Sequence, residues 1–172
     1  MRQGILRDPY RAVIQRFNRG GVRYVIVGMA GINYYAQNPS ETFATLDYDV
    51  FIDPTLKNVE QAIRSLKRLG FTIGTSRGLF TTDHLKGVVR DKRPLVATTP
   101  EGLTIELLLA VSGFPFAELA KDAATFSVRG VPVKVGRLTK LLQSKQLADR
   151  AKDRAFIRRY RALLEEPAPP QG

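Results

Sequence analysis

The stretch that decides the fold is T-L-D-Y-D-V-F-I, Thr45 to Ile52. Leu46, Tyr48, Val50, Phe51 and Ile52 are the apolar, aromatic and β-branched types that favour a buried or half-buried strand. Side chains alternate between the two faces of a strand, so Asp47 and Asp49 share one face. Their Cα atoms then lie ~6.6 Å apart. An otherwise apolar strand thus presents two carboxylates side by side.

Upstream, R-Y-V-I-V (Arg23 to Val27) reads as a strand that runs into V-I-V-G-M-A-G, with Ala30 to Gln37 as a helix. A glycine between a strand and a helix N-terminus lets backbone N–H groups approach a phosphate. Close packing of helix on strand explains the same glycines equally well. Downstream, Leu103 to Val111 reads L-T-I-E-L-L-L-A-V, a strand whose one charge is Glu106. A lone buried carboxylate costs several kcal/mol unless compensated. A cation shared with Asp47 and Asp49 would compensate it, and three carboxylates suit a hard ion such as magnesium. The plainer alternatives are an edge-strand acid facing solvent or a pairing with arginine.

The remaining elements alternate. Pro9 to Arg19 forms a short amphipathic helix closed by Gly20-Gly21. Pro54-Thr55 opens a helix with Leu56, Val59, Ile63, Leu66 and Leu69 on one face, capped by Gly70. Phe71 to Ile73 suggests a short strand, and Gly74 to Pro100 is polar and irregular apart from a V-V strand at Val88. Phe116 to Ala124 reads as a helix. F-S-V-R-G-V-P-V-K-V turns at Arg129-Gly130 as a hairpin, with Pro132 marking one arm as an edge. The expected class is α/β or α+β, a mixed sheet flanked by helices with a C-terminal helical part. The expected organisation is a core over 1–136, helices packed on it over 137–166, and a disordered P-A-P-P-Q-G tail at 167–172.

The 172 residues suffice for one domain with a real core. No cysteine is present, which excludes disulfides and thiolate metal sites. The N-terminus shows no apolar segment of the signal-peptide kind, and no apolar run spans a bilayer. A soluble, cytoplasmic protein is the expectation. The net charge is +11, from 27 Lys and Arg against 16 acids. Such a balance draws polyanions, nucleic acid above all, although a basic surface can also serve solubility alone. The segment from Arg137 to Arg161 holds nine basic residues and two acids, Asp149 and Asp153. Arg150, Lys152, Arg154 and Arg158 are therefore expected to contact phosphates.

Two positions break the C-terminal helical pattern. Leu138, Leu141 and Leu142 call for an apolar residue one turn on, and the chain supplies Lys145. Ile157, Tyr160 and Leu164 define a face whose preceding turn is Asp153. Either the two residues face a cleft, or they pair with each other, or the helices rotate there.

Taken together, V-G-M-A-G, T-L-D-Y-D-V-F-I, I-E-L-L-L-A-V-S-G-F-P-F, L-T-K-L-L-Q-S-K and D-R-A-K-D resemble the nucleotidyltransferase fold of the DNA polymerase β superfamily. Within it they are similar to the AbiEii-type enzymes, many of them toxins of toxin–antitoxin pairs. The resemblance runs from Tyr24 to about Leu164. It implies transfer of a nucleoside monophosphate from an NTP to an acceptor hydroxyl with Mg2+ or Mn2+. Asp47, Asp49 and Glu106 would hold the metal, with Glu106 as base for the attacking hydroxyl. Gly28 and the backbone at Met29 would cradle the triphosphate, Lys145 would neutralise phosphate charge, and Asp153 would orient Lys145 or the acceptor. RNA, tRNA included, is the first acceptor, and a protein hydroxyl or an antitoxin partner is the next. The chain departs from the family in Met29, where Gly or Ser is usual, and in Phe43, where an arginine is usual. The rival expectation is a catalytically silent module of this fold that binds nucleic acid or protein through its charge.

Overall fold

The two strands closest to the acidic motif pair first. Val25 faces Phe51 and Val27 faces Asp49 in an antiparallel ladder between β1 (Tyr24–Val27) and β2 (Tyr48–Ile52). In this computed structural model, which describes residues 10–36, 47–148, 154, 157 and 158, six further strands extend that ladder. They are β3 (Thr72–Thr75), β4 (Gly78–Leu79), β5 (Leu95–Thr98), β6 (Thr104–Leu108), β7 (Ala124–Val128) and β8 (Val131–Val135). The order is β4-β3-β5-β6-β2-β1-β8-β7, with β2 parallel to β6, β1 parallel to β8, and antiparallel pairing elsewhere. The molecule is thus a mixed α/β structure with one eight-stranded sheet.

Six helices lie among the described residues: α1 (Arg11–Arg19), α2 (Gly28–Asn33), α3 (Leu56–Arg68), α4 (Leu85–Asp91), α5 (Phe116–Ala120) and α6 (Leu138–Ala148). One sheet face is sealed by α1, α3 and α4. Tyr10 stacks on Tyr48 at 3.9 Å, and Phe17 of α1 meets Tyr24. Ile73, Leu95, Ala97, Ile105 and Leu107 point to this side and are buried. Their strand neighbours Thr72, Gly74, Val96, Thr104 and Glu106 point to the other side and stay partly open, Val96 to 38%. There α5 sets Phe116 edge-on to Phe51, with ring centroids 5.4 Å apart. The carboxylates of Asp49 and Glu106 occupy this second, less covered face.

Helix α3 follows its sequence signals. The Thr55 side chain accepts from the Asn58 amide at the N-terminus, and Val59, Ala62, Ile63 and Leu66 are buried. Leu56, expected on that apolar face, is 41% exposed because it falls in the first turn, beyond the sheet. Asn58 is buried and serves as a latch. Its Oδ1 accepts from the Arg23 amide at 2.8 Å, and its Nδ2 donates to the carbonyls of Arg23 and Asp53.

Several expectations are corrected. Val88 lies in α4, not in a strand, since Leu85 and Val88 at helical spacing supply a buried face. The helix at Phe116 ends at Ala120, and Ala124 already belongs to β7. The hairpin turns at Arg129 and Gly130, both with positive φ. Its Pro132 arm, β8, is nevertheless internal, lying between β1 and β7. Proline is tolerated because β8 meets β1 only near Val135, leaving Pro132 outside that pairing. Among the described residues no helix is long and apolar enough to cross a membrane.

Candidate functional site

Parallel pairing places Asp49 of β2 directly beside Glu106 of β6. Both strands are apolar on the opposite face, so neither carboxylate can turn to the other side without exposing the core. Asp47 precedes β2 by one residue and is exposed. The structure therefore brings two of the three expected acids together, with the third just upstream. Among the described residues no group of three or more such side chains is set as a ready-made metal cage.

Asp49 itself is under electrostatic strain. Burial pushes its pKa up from the ordinary carboxylate value to about 7, and the charges of Glu106 and Asp47 push the same way. Lys145 opposes them. The Oδ1 atom of Asp49 is buried without a hydrogen-bond partner among the described residues. Crowded acids with an unsatisfied oxygen form a donor set that suits a hard divalent cation, which would relieve both defects. On that ground Asp49 and Glu106, joined by Asp47, fit a magnesium or manganese ion.

Gly28 completes this corner. It opens α2 with φ +65°, and a Cβ there would lie 2.3 Å from Oδ2 of Asp49. Only glycine combines that backbone with that approach. Gly31, one turn on, has a different role. A Cβ on it would fall 2.9 Å from the Ile26 carbonyl and 3.1 Å from Leu141, so Gly31 lets α2 press against β1 and α6. The two readings of the glycine-rich turn therefore divide between its two glycines. Met29 is half-buried and packs on the core.

Helix α6 brings the cation. Leu141 and Leu142 are buried, and Lys145, on the same face one turn further, is only 9% exposed. A cavity of about 590 Å³ opens between them and the sheet, lined by Val27, Gly28, Asp49, Ser112, Ser144 and Lys145 among others. Ser144 donates to the Ser112 carbonyl at 2.7 Å, tying α6 to the loop after β6. Apolar walls from Leu108, Val111, Leu119 and Ala148 complete it. The arrangement offers a carboxylate pair, an ammonium group and a half-apolar recess side by side.

Ser112, Ser144 and the apolar walls were not anticipated from sequence. Both serines lie in stretches already singled out, but nothing in the sequence pairs them, because they meet only when α6 crosses the end of β6. Arg154 and Arg158 are exposed. Arg150, Lys152, Asp153 and Phe43 lie outside the described residues, as does the 167–172 tail. No protein-family model matches the chain, and no curated protein matches it either.

Proposed function

We propose that the protein is a metal-dependent nucleotidyltransferase of the polymerase β type, moving a nucleoside monophosphate from an NTP to an acceptor hydroxyl. RNA, including tRNA, is the first acceptor and a protein hydroxyl the second, in the setting of a toxin–antitoxin pair. The observation that carries this reading is that Asp49, Gly28 and Lys145 line one cavity, with Glu106 paired beside Asp49 on the neighbouring strand. The motif resemblance points to the same residues.

In this reading Asp47, Asp49 and Glu106 hold divalent metal, which would supply charge neutralisation for the phosphates. Glu106 takes the proton of the attacking hydroxyl. The acceptor oxygen forms its bond to the α-phosphorus as the bond to the β-phosphate oxygen breaks, and pyrophosphate leaves with the electron pair. Lys145 lines the same cavity from α6, where its charge offsets that of the phosphate oxygens. Gly28 leaves room for phosphate against Asp49 that any side chain would fill.

The test is direct. Purified protein with magnesium or manganese and α-labelled NTPs should transfer label to bulk RNA, to tRNA or to itself, and Asp49→Asn should abolish the transfer. If all four NTPs fail with RNA and protein acceptors, the chain is a silent module of this fold.

A further inference from the structure

The two faces of the sheet differ in charge. Asp49 and Glu106 lie on one face, while α1 and α3, which cover the other, carry mostly cations. Helix α1 has no acid at all, and α3 has Glu60 alone. Glu60 is taken by Arg64 at 3.0 Å, and Asp53 beside these helices is taken by Arg23. Among the described residues no ion pair forms at Arg16, Arg19, Lys57 or Arg68.

These cations form one surface. Lys57, Arg64 and Arg68 follow one exposed stripe of α3 at spacings of seven and four. The C-terminal turn of α1, bearing Arg16 and Arg19, meets that stripe midway: a Cβ on Gly20 would lie 3.1 Å from Gln61 Nε2. Arg64 and Arg68 repel each other at i,i+4. The one acid among these cations, Glu60, is already taken by Arg64, so the surface keeps an excess of positive charge that an external anion would offset.

We propose that the α1–α3 surface binds the phosphodiester backbone of a nucleic acid, without reading sequence, on the side of the sheet opposite Asp49 and Glu106. Arginine dominates the array, and its fork matches phosphate oxygens. An anionic membrane fits less well. Val13, Ile14, Phe17, Val59, Ala62, Ile63 and Leu66 all turn inward, leaving Leu56 as the one large apolar side chain of either helix that is exposed for insertion. The surface therefore anchors a nucleic acid away from the cavity, as a handhold separate from any reacting end. It needs neither NTP nor metal, and it stands whether or not nucleotidyl transfer occurs.

The experiment measures fluorescence anisotropy of a labelled RNA hairpin, and of a DNA hairpin of matching sequence, with chelator and without nucleotide. Three proteins are compared: wild type, Arg16→Ala/Arg19→Ala/Arg68→Ala, and Arg77→Ala/Lys121→Ala/Lys134→Ala. The second triple variant removes equal charge elsewhere. All six side chains are exposed or half-buried, and thermal melts confirm that each variant folds. The α1–α3 variant should bind about tenfold or more weakly near 0.15 M salt, and its slope of log affinity against log salt should fall by about two to three. The control variant should stay within about twofold of wild type. Restoring lysine at the three arginines should recover most of the slope. Binding of RNA alone, or of RNA and DNA alike, supports the surface and identifies its source. Equal losses in both triple variants, or no wild-type binding to either hairpin, overturns it.

Discussion

At the residue scale, the chemistry turns on Asp49 and the atoms pressed against it. Its raised pKa has a definite consequence for stability. An unfolded aspartate ionises near 4, and the folded one at about 7. Between those values the native state holds a proton that the unfolded state has lost, so stability falls as pH rises, and the full penalty is present above about pH 7. In Asp49→Asn this penalty is absent. Without divalent ions, the variant should therefore melt above wild type by a margin that widens from pH 5 to pH 8. A margin independent of pH would show that neither burial nor the neighbouring charges raise the pKa of Asp49. Gly28→Ala should cost about 2 kcal/mol or more, from a left-handed backbone and a Cβ driven into Oδ2. Much of that loss should vanish in an Asp49→Ala background, a coupling that a double-mutant cycle in urea measures. Lys145→Ala should leave the fold standing and weaken binding of a fluorescent NTP analogue about tenfold to a hundredfold, the worth of a charge-assisted contact to phosphate. Equal affinities would remove Lys145 from the nucleotide site.

At the scale of elements, the sheet is held in register by features outside the ladder itself. Asn58 joins the start of α3 to the backbone on both sides of the β1–β2 pair, through three hydrogen bonds from one buried amide. Asn58→Ala leaves the Arg23 amide and two carbonyls short of partners, and about 2–4 kcal/mol of stability should go with it. Chemical denaturation gives the value. A loss under about 0.5 kcal/mol would mean that water replaces the amide. The α3 helix was legible in advance because its apolar face, its Thr55 cap and its closing glycine all agree. The segment after it was not. Its strands are two to four residues long, too short for alternation to register, and β3 pairs with β5 across more than twenty residues as well as with its neighbour β4. The Val88 helix and the β5 strand separate only because α3 and the sheet offer one a groove and the other an open ladder.

At the scale of the whole molecule, the sheet has Asp49 and Glu106 on one face and the largely cationic helices α1 and α3 on the other. Divalent metal should couple to folding through the first of these. Magnesium or manganese at a hundredfold excess over Kd should add about 2.7 kcal/mol and raise the melting temperature, and Asp49→Asn should blunt the rise. Identical melts with metal and with chelator would refute a carboxylate metal site.

What the sequence by itself determined is local and periodic. The acidic strand, its two-residue spacing, the α3 helix, the Arg129-Gly130 hairpin and the misfit at Lys145 can all be read from neighbours within a few residues, because burial imposes its period on the chain. Tertiary structure alone decided which of these meet. The Asp49–Glu106 contact depends on a parallel pairing across more than fifty residues. Pro132 became internal because a sheet order, not a local preference, set the edge. The cations of α1 and α3 became one surface because two helices distant in sequence bury their apolar faces against the same side of one sheet, a cooperative choice that no single segment encodes.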